Sequence, residues 1–269
     1  MYPMRKIRLL LEYDGSAYHG WQVQKEGLTI QVILEEKVFQ VTGAPSSVIG
    51  ASRTDAGVHA FGQVAAFRTE SQLDAATITR ALNAVLPQDI RVLAAAEAES
   101  SFHPREDALR KRYVYMIANQ RVPSAFLYRY TWVVPQMLEM SLMEEASSVL
   151  IGKHDFAAFM GTGSDIKDPV REIYSLDIEK LATVDFMTVC LKGTFIKITI
   201  EANGFLRHMV RNIVGTLVEF GRARIPSFRM KEILDSRNRR QAGQTAPAKG
   251  LFLERIDYPN SADMLHKII

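Results

Sequence analysis

A short polar stretch, ASRTDAGVHA at residues 51–60, carries the residues best suited to chemistry. Arg53 lies two residues before Asp55, and the small residues Ala56 and Gly57 leave space beside the carboxylate. An aspartate that attacks a substrate must be ionised and oriented, and a nearby guanidinium favours the ionised form. Aspartates in loops also bond their own backbone in turns. The residues alone therefore leave two interpretations of Asp55, a turn-forming residue or a nucleophile.

A second candidate is the segment FLRHMVRN at residues 205–212, which mixes basic and apolar residues. Arg207 and Arg211 are four residues apart, a spacing that predicts one shared helix face. The residues that follow are largely apolar, so Arg211 is expected in a mostly buried helix, where a guanidinium needs a partner. That partner is either a structural carboxylate or the catalytic aspartate, and the spacing does not choose between them.

A third candidate is the segment LRKRYVYMIAN, which places two tyrosines among basic residues. Tyr113 and Tyr115 alternate on a predicted strand next to Arg110, Lys111 and Arg112. Proteins use aromatic and basic groups together to stack unpaired bases and to hold phosphates. Aromatic residues at alternate strand positions are nevertheless more often part of a core. We therefore expect at least one of the two rings to be buried.

The distribution of charge favours a polyanionic partner. The net charge of the chain is only +3, but residues 205–240 hold nine Lys and Arg against three Asp and Glu, a local charge of +6. Such a concentration suits nucleic acid, although a solvated basic helix face would show the same charge.

The cysteine and histidine content argues against a metal site. The only cysteine, Cys190, excludes an internal disulfide and a thiolate zinc cluster, and we expect it to point inward from a strand. The six histidines show no metal-ligand spacing, so we expect them to be structural and not to bind a metal. No apolar run approaches the roughly 18 residues of a membrane span, and we expect a soluble cytoplasmic protein.

The elements that position these candidates are read from hydrophobic periodicity. The predicted strands are 5–13, 63–69, 90–98, 109–119, 170–178, 195–203 and 250–258, and the predicted helices are 29–43, 74–87, 141–152, 204–221 and 227–236. The first strand is expected to be half-buried, with polar and apolar faces. Thr29 and Asp74 are expected to cap helices, and Ser141 with Glu144 forms a predicted capping box.

The order of elements predicts an α+β fold of two similar halves with mostly antiparallel sheets. Residues 1–105 would form an N-terminal α+β domain that carries the aspartate loop. Residues 106–269 would form a C-terminal α+β domain with the basic helix and the aromatic strand.

Several separated motifs, in the same order, resemble the bacterial tRNA pseudouridine synthase A family over nearly the whole chain. They are YDGSAYHGWQVQ (13–24), ASRTDAGVHAFGQV (51–64), NAVLPQDIRV (83–92), FHPR (102–105), KRYVYMI (111–117), HDFAAF (154–159), ANGFLRHMVRNIVGTLVEFG (202–221) and APAKGLFLERIDY (246–258). The resemblance implies isomerisation of uridine to pseudouridine at positions 38, 39 and 40 of the tRNA anticodon stem-loop, without metal or cofactor.

The resemblance also implies a role for each candidate. Asp55 would be the catalytic nucleophile, and Arg211 would be the basic residue that pairs with it. Tyr113 would line the uracil pocket, and Arg53 would help to displace and hold the flipped nucleotide. The members of the family are homodimers in which two similar α+β halves, each a mostly antiparallel sheet backed by helices, enclose a central basic cleft.

Two other functions remain open at this level. A non-catalytic RNA-binding protein could use the same basic and aromatic residues without an active Asp55. A glycoside hydrolase would also place an aspartate against an anomeric carbon, but it usually needs a second carboxylate about 5–10 Å away, and no stretch offers an obvious one.

Overall fold

The computed structural model describes residues 3–163 and 166–259, and the chain divides into two compact units. One unit takes in the residues up to Lys111 and those from Leu253 onward, and the other is Arg112–Phe252. This division differs from the predicted one, in which the second domain began at residue 106 and included the last strand. Most of the last strand belongs to the first unit, where it hydrogen-bonds to another strand, a pairing that local periodicity does not reveal.

The described residues form ten strands and five α-helices. The α+β class and the number of helices are as predicted, and there are three more strands than predicted. The strands are β1 (Arg5–Tyr13), β2 (Ile49–Gly50), β3 (His59–Thr69), β4 (Ile90–Ala98), β5 (Arg110–Ala118), β6 (Trp132–Val133), β7 (Gly152–Asp155), β8 (Val170–Phe186), β9 (Val189–Ala202) and β10 (Leu251–Asp257). The helices are α1 (Ile30–Thr42), α2 (Ala75–Val85), α3 (Met140–Ser148), α4 (Met209–Gly221) and α5 (Arg229–Ser236). None of the helices in the described ranges combines the length and apolar character needed to cross a membrane.

In the first unit the strand order is β4-β1-β3-β10, and β2 pairs with β3. β1 runs antiparallel to both of its neighbours, with Leu9 opposite Ala65 on one side and Ala95 on the other. The prediction of a half-buried first strand is wrong, since Leu9, Leu10 and also Arg8 are buried. Consecutive apolar residues are typical of a strand that is covered on both faces.

The two helices of the first unit begin at the predicted caps. The Thr29 hydroxyl accepts a hydrogen bond from the Val32 N–H, and the Asp74 carboxylate accepts one from the Thr77 N–H. α1 ends at Gly43, whose φ of 78° lies in the left-handed region that glycine enters without steric cost. The capping predictions for α1 and α2 are therefore confirmed.

In the second unit the strand order is β5-β9-β8-β7, and the short β6 pairs in parallel with β5. β8 and β9 form an antiparallel hairpin that is longer than the predicted strands, with Phe186 opposite Val189 next to its turn. Cys190 lies near this turn and is exposed, so the prediction that it points inward is wrong. The neighbouring Leu191 packs against a buried cluster, and because successive strand residues point to opposite faces, Cys190 points outward.

The start of α3 also differs from the prediction. The helix begins at Met140, and Glu139, its N-cap, makes no capping hydrogen bond through its side chain. A capping residue needs a non-helical backbone, and Ser141 is already inside the helix, so the capping box from Ser141 to Glu144 is not formed. Gly152 begins β7 instead of following the helix directly.

The long basic helix is shorter than predicted. α4 begins at Met209 after His208, whose φ of 59° is left-handed, so residues 204–208 are not helical. The Gly161 N–H donates to the Arg207 carbonyl at 2.7 Å, which turns this carbonyl away from a helical bond. Arg207 is therefore outside α4, and the predicted shared face with Arg211 is wrong.

Candidate active site

In the first unit, the loop that carries Arg53 and Asp55 begins where β2 leaves β3. Directly after β2, the Ala51 N–H still donates a hydrogen bond to the Val64 carbonyl on β3 at 2.8 Å. The Ala51 carbonyl accepts a hydrogen bond from the ammonium of Lys111, which is buried, at 2.7 Å. Burying an ammonium group costs free energy unless it makes strong hydrogen bonds. The bond from Lys111 therefore fixes the Ala51 carbonyl at the base of the loop.

Backbone contacts fix the middle of this loop. The Thr54 carbonyl accepts from the Trp21 N–H at 3.0 Å, and the Asp55 carbonyl accepts from the Val58 N–H at 3.1 Å. Gly20 allows the first contact, because its φ is 89° and a Cβ there would lie 2.6 Å from the Thr54 carbonyl oxygen. Backbone atoms of Asp55 and Val58 thus close a tight turn at Asp55.

The loop presents its charged side chains while its flanking residues are buried. Arg53 is exposed and Asp55 is half-buried, whereas Ser52 and Thr54 are both buried. A carboxylate in this setting is held by the fold and can still contact a substrate. The turn-forming and nucleophilic interpretations of Asp55 are therefore compatible with each other.

A second arginine lies close to Arg53. Partial burial and the positive charge of Arg53 lower the pKa of the Arg105 guanidinium. Two neighbouring cations favour an anion such as a phosphate of a nucleic acid. Arg105 is part of the FHPR motif, but the sequence alone does not indicate a role for it, because only folding brings it close to Arg53.

In the second unit, both tyrosines of β5 are buried. The Tyr113 ring packs edge-to-face on Phe205, with ring centroids 5.1 Å apart. The Tyr115 hydroxyl donates to the Pro247 carbonyl at 2.7 Å, and burial raises its pKa. The expectation that at least one ring is buried is confirmed.

Arg211 lies on α4, and both its side chain and its backbone contact Ala246. The guanidinium Nε donates to the Ala246 carbonyl at 2.8 Å, and the Ala246 N–H donates to the Arg211 carbonyl at 3.0 Å. The positive charge of Arg211 also acts on Tyr115, where it partly opposes the rise in pKa caused by burial. Arg211 is therefore a helix residue with a fixed orientation beside β5.

The segment that contacts Arg211, residues 243–246, is held on α4 by a second set of contacts. Arg239 donates to Asn212 Oδ1 and to Thr245 Oγ1, both at 3.0 Å, and Thr245 Oγ1 donates to Asn212 Oδ1 at 2.7 Å. The Gly243 N–H donates to Thr216 Oγ1 at 2.9 Å. The sequence did not predict that this segment supports α4. Its closely spaced small residues are the feature that could have indicated close packing.

The predicted residues thus lie in two separate units. Arg53 and Asp55 are on one loop of the first unit, and Arg211 and Tyr113 are on α4 and β5 of the second. The pairing of Arg211 with Asp55 stays a prediction. Within the described ranges, no group of three or more His, Cys, Asp or Glu residues is arranged to hold a metal ion.

Comparison with known proteins identifies the family of the chain. The family model of tRNA pseudouridine synthase matches residues 10–105 and 146–259. The tRNA pseudouridine synthase A of Thermodesulfovibrio yellowstonii is 42% identical over 255 residues, which cover 95% of this chain and 100% of the relative. The proteins of the same name from Thermoanaerobacter sp. (strain X514) and Myxococcus xanthus are 45% and 41% identical, with 95% of this chain and 100% and 92% of the relatives covered.

These matches include the loop with Arg53 and Asp55 and the helix with Arg211, and they run through both units. The resemblance seen in the sequence motifs is confirmed. The chain belongs to the tRNA pseudouridine synthase family.

Proposed function

We propose that this chain isomerises uridine to pseudouridine at positions 38, 39 and 40 of the tRNA anticodon stem-loop, with Asp55 as the nucleophile. Near full-length similarity to proteins named tRNA pseudouridine synthase A supports this proposal. The isomerisation breaks the N1–C1′ bond, turns the base and joins C1′ to C5. The hydrogen on C5 leaves to solvent, and N1 takes up a proton.

The observation that carries the proposal is the setting of Asp55. Its neighbours Ser52 and Thr54 are buried and its own carbonyl is bonded, while its side chain is only half-buried. A nucleophile that is oriented before the substrate binds avoids part of the entropic cost of reaching the transition state. The carboxylate attacks either C1′ of the ribose or C6 of the uracil, and both routes need it ionised and fixed.

Arg53 and Arg105 support a role in binding the nucleotide. A uridine in a stem must leave its stack to be modified, at a cost of a few kcal/mol. The guanidinium groups of Arg53 and Arg105 would offset this cost by holding phosphates of the displaced nucleotide. The electrostatic effect of Arg53 on Arg105 is the observation that groups these two residues.

The remaining features of the proposal rest on family membership. Arg211 pairs with Asp55, and Tyr113 lines the uracil pocket. Two similar halves enclose a central basic cleft, and the active enzyme is a cytoplasmic homodimer.

The test is release of tritium from tRNA that carries [5-³H]uridine. Asp55→Asn and Asp55→Ala are expected to lower the rate on the order of 10³-fold or more, because the nucleophile is lost, with tRNA affinity nearly unchanged. Asp74→Asn is the matched control, because Asp74 is an exposed helix cap and asparagine also caps well. Asp74→Asn should keep full activity.

Three outcomes would contradict the proposal. An active Asp55→Ala variant would show that Asp55 is not the nucleophile. Wild-type protein that binds tRNA without tritium release would be the non-catalytic RNA-binding protein. Free uracil among the products would indicate glycosidic hydrolysis.

A further inference from the structure

The side chain of Gln63, on β3, continues the pairing of β2 and β3 beyond the point where their backbones separate. Gln63 Oε1 accepts a hydrogen bond from the Ser52 N–H at 3.1 Å, and Gln63 Nε2 donates to the Ser52 carbonyl at 2.7 Å. The amide therefore contacts both backbone groups of Ser52, as a neighbouring strand would. Ser52 is thus fixed while the chain turns away from the sheet.

A second connection runs from the same amide to Thr54. Gln63 Nε2 also donates to the Tyr13 hydroxyl, at 3.4 Å, and this hydroxyl is 2.8 Å from Thr54 Oγ1. Gln63 is 0% exposed, Tyr13 4% and Thr54 6%. Because the surroundings exclude water, these hydrogen bonds are stronger and more rigid than they would be in solvent.

Tyr13 contributes a protonated hydroxyl to this network. Burial raises the pKa of the Tyr13 hydroxyl to about 12, although its hydrogen bonds to Thr54 and Gln63 partly lower it. The hydroxyl is therefore protonated at neutral pH.

The network holds the residues on both sides of Arg53. Ser52 and Thr54 are fixed from beneath, so the Arg53 side chain points away from them into solvent, and Asp55 follows Thr54 directly. A displacement of Thr54 moves the backbone of Asp55. A displacement of about 1 Å at a reacting group can cost on the order of 10²-fold in rate.

We propose that Gln63, Tyr13 and Thr54 are positioning residues that set the orientation of the Asp55 carboxylate for the reaction, an inference that rests on the proposed function of Asp55. None of the three needs to touch the substrate. A purely structural role would lower stability and leave the turnover of the folded enzyme unchanged. A positioning role lowers turnover in the folded enzyme while tRNA binding is kept.

The experiment measures kcat, KM for tRNA and Tm in variants that remove single hydroxyls. Tyr13→Phe and Thr54→Val are expected to lower kcat about tenfold or more, with KM within about twofold of wild type. Thr54→Ser keeps the hydroxyl and is expected to restore kcat to near the wild-type value. The contrast between Thr54→Val and Thr54→Ser isolates the hydrogen bond from the packing of the residue.

Tyr18→Phe is the matched control for Tyr13→Phe. Tyr18 is also 4% exposed and in the first unit, but its hydroxyl donates to Asp89 and not to the residues beneath Asp55. Tyr13→Phe removes the hydrogen bonds to Thr54 and from Gln63, and Tyr18→Phe removes a hydrogen bond to a carboxylate, so both should lower Tm. Only Tyr13→Phe should lower kcat.

Two results would overturn the inference. One is an unchanged kcat in both Tyr13→Phe and Thr54→Val; the other is an equal loss of kcat in Tyr18→Phe. If Tyr13→Phe does not fold, equal kcat values for Thr54→Val and Thr54→Ser would overturn it. These results are distinct from failure of the proposed function, in which wild-type protein releases no tritium or Asp55→Ala stays active.

Discussion

The two regions that hold the proposed catalytic charges are built in different ways. In the first unit, the loop around Asp55 is supported by buried polar side chains, with Gln63 and Tyr13 at the centre. In the second unit, the helix of Arg211 is supported by a backbone segment that packs directly against it. The first arrangement depends on hydrogen bonds between buried side chains, and the second depends in addition on close packing of backbone against a glycine of the helix.

The contrast is clearest at Gly215, within α4. A Cβ at this position would lie 1.7 Å from the Gln244 carbonyl oxygen, far inside any allowed contact. At the loop of Asp55, by comparison, Gln63 fills the gap between two strands that have already separated. A side chain of suitable length can close a gap between strands. Where two backbones are in direct contact, as at Gly215, there is no room for any side chain. The two regions should therefore respond to opposite kinds of substitution.

The largest expected effect is on the second region. Gly215→Ala should lower the free energy of unfolding by about 3 kcal/mol, because the added methyl group forces the Gln244 backbone away from α4. Chemical denaturation measures this loss. Gly221→Ala is the matched control in the same helix, since its new Cβ would meet mainly the flexible Met143 side chain. Equal losses in the two variants would contradict the direct backbone contact.

A smaller loss is expected when the polar support of the first region is removed. Gln63→Leu has a similar size but cannot make the hydrogen bonds to Ser52, so it should cost about 2 kcal/mol. Hydrogen exchange should show faster exchange at residues 51–58 and unchanged exchange in α4. Faster exchange in both regions would mean that they are not supported independently.

The second region also contains a polar component, which sharpens the comparison. Arg239→Met should cost about 1 kcal/mol, because the guanidinium bonds to Asn212 and Thr245 are lost while Thr245 still donates to Asn212. Thermal unfolding measures this change. A loss as large as that of Gly215→Ala would show that hydrogen bonds, and not close packing, hold the segment on α4.

The last expected effect, which is absent at neutral pH, is a dependence on alkaline pH that the first region adds. The pKa of Tyr13 is about 12 in the fold and 10.0 without it, so the unfolded chain loses this proton first. The stabilisation by Tyr13 is therefore complete below pH 10 and is lost as the pH rises towards 12. The difference in unfolding free energy between wild type and Tyr13→Phe should shrink over this window. A constant difference would contradict the raised pKa.

Much of the fold follows from local patterns. The bounds of β1 and β4 and the caps of α1 and α2 agree with periodicity and capping residues, because these depend on neighbours within a few positions. The errors occur where distant residues intervene. Gly161 binds the Arg207 carbonyl and delays the start of α4, although the segment reads as one continuous helix.

The order of motifs in the chain identifies the family, and the adjacency of Arg53 and Asp55 is enough to nominate a catalytic loop. Folding decides which residues support that loop. Gln63 meets Ser52 and Tyr13 only through the registers of β2 and β1 against β3, and Arg105 approaches Arg53 only in the folded chain. Periodicity specifies which face of a strand is buried, but not which residue of another strand lies opposite it. That choice is made by packing across the sheet, where contacts join residues far apart in sequence.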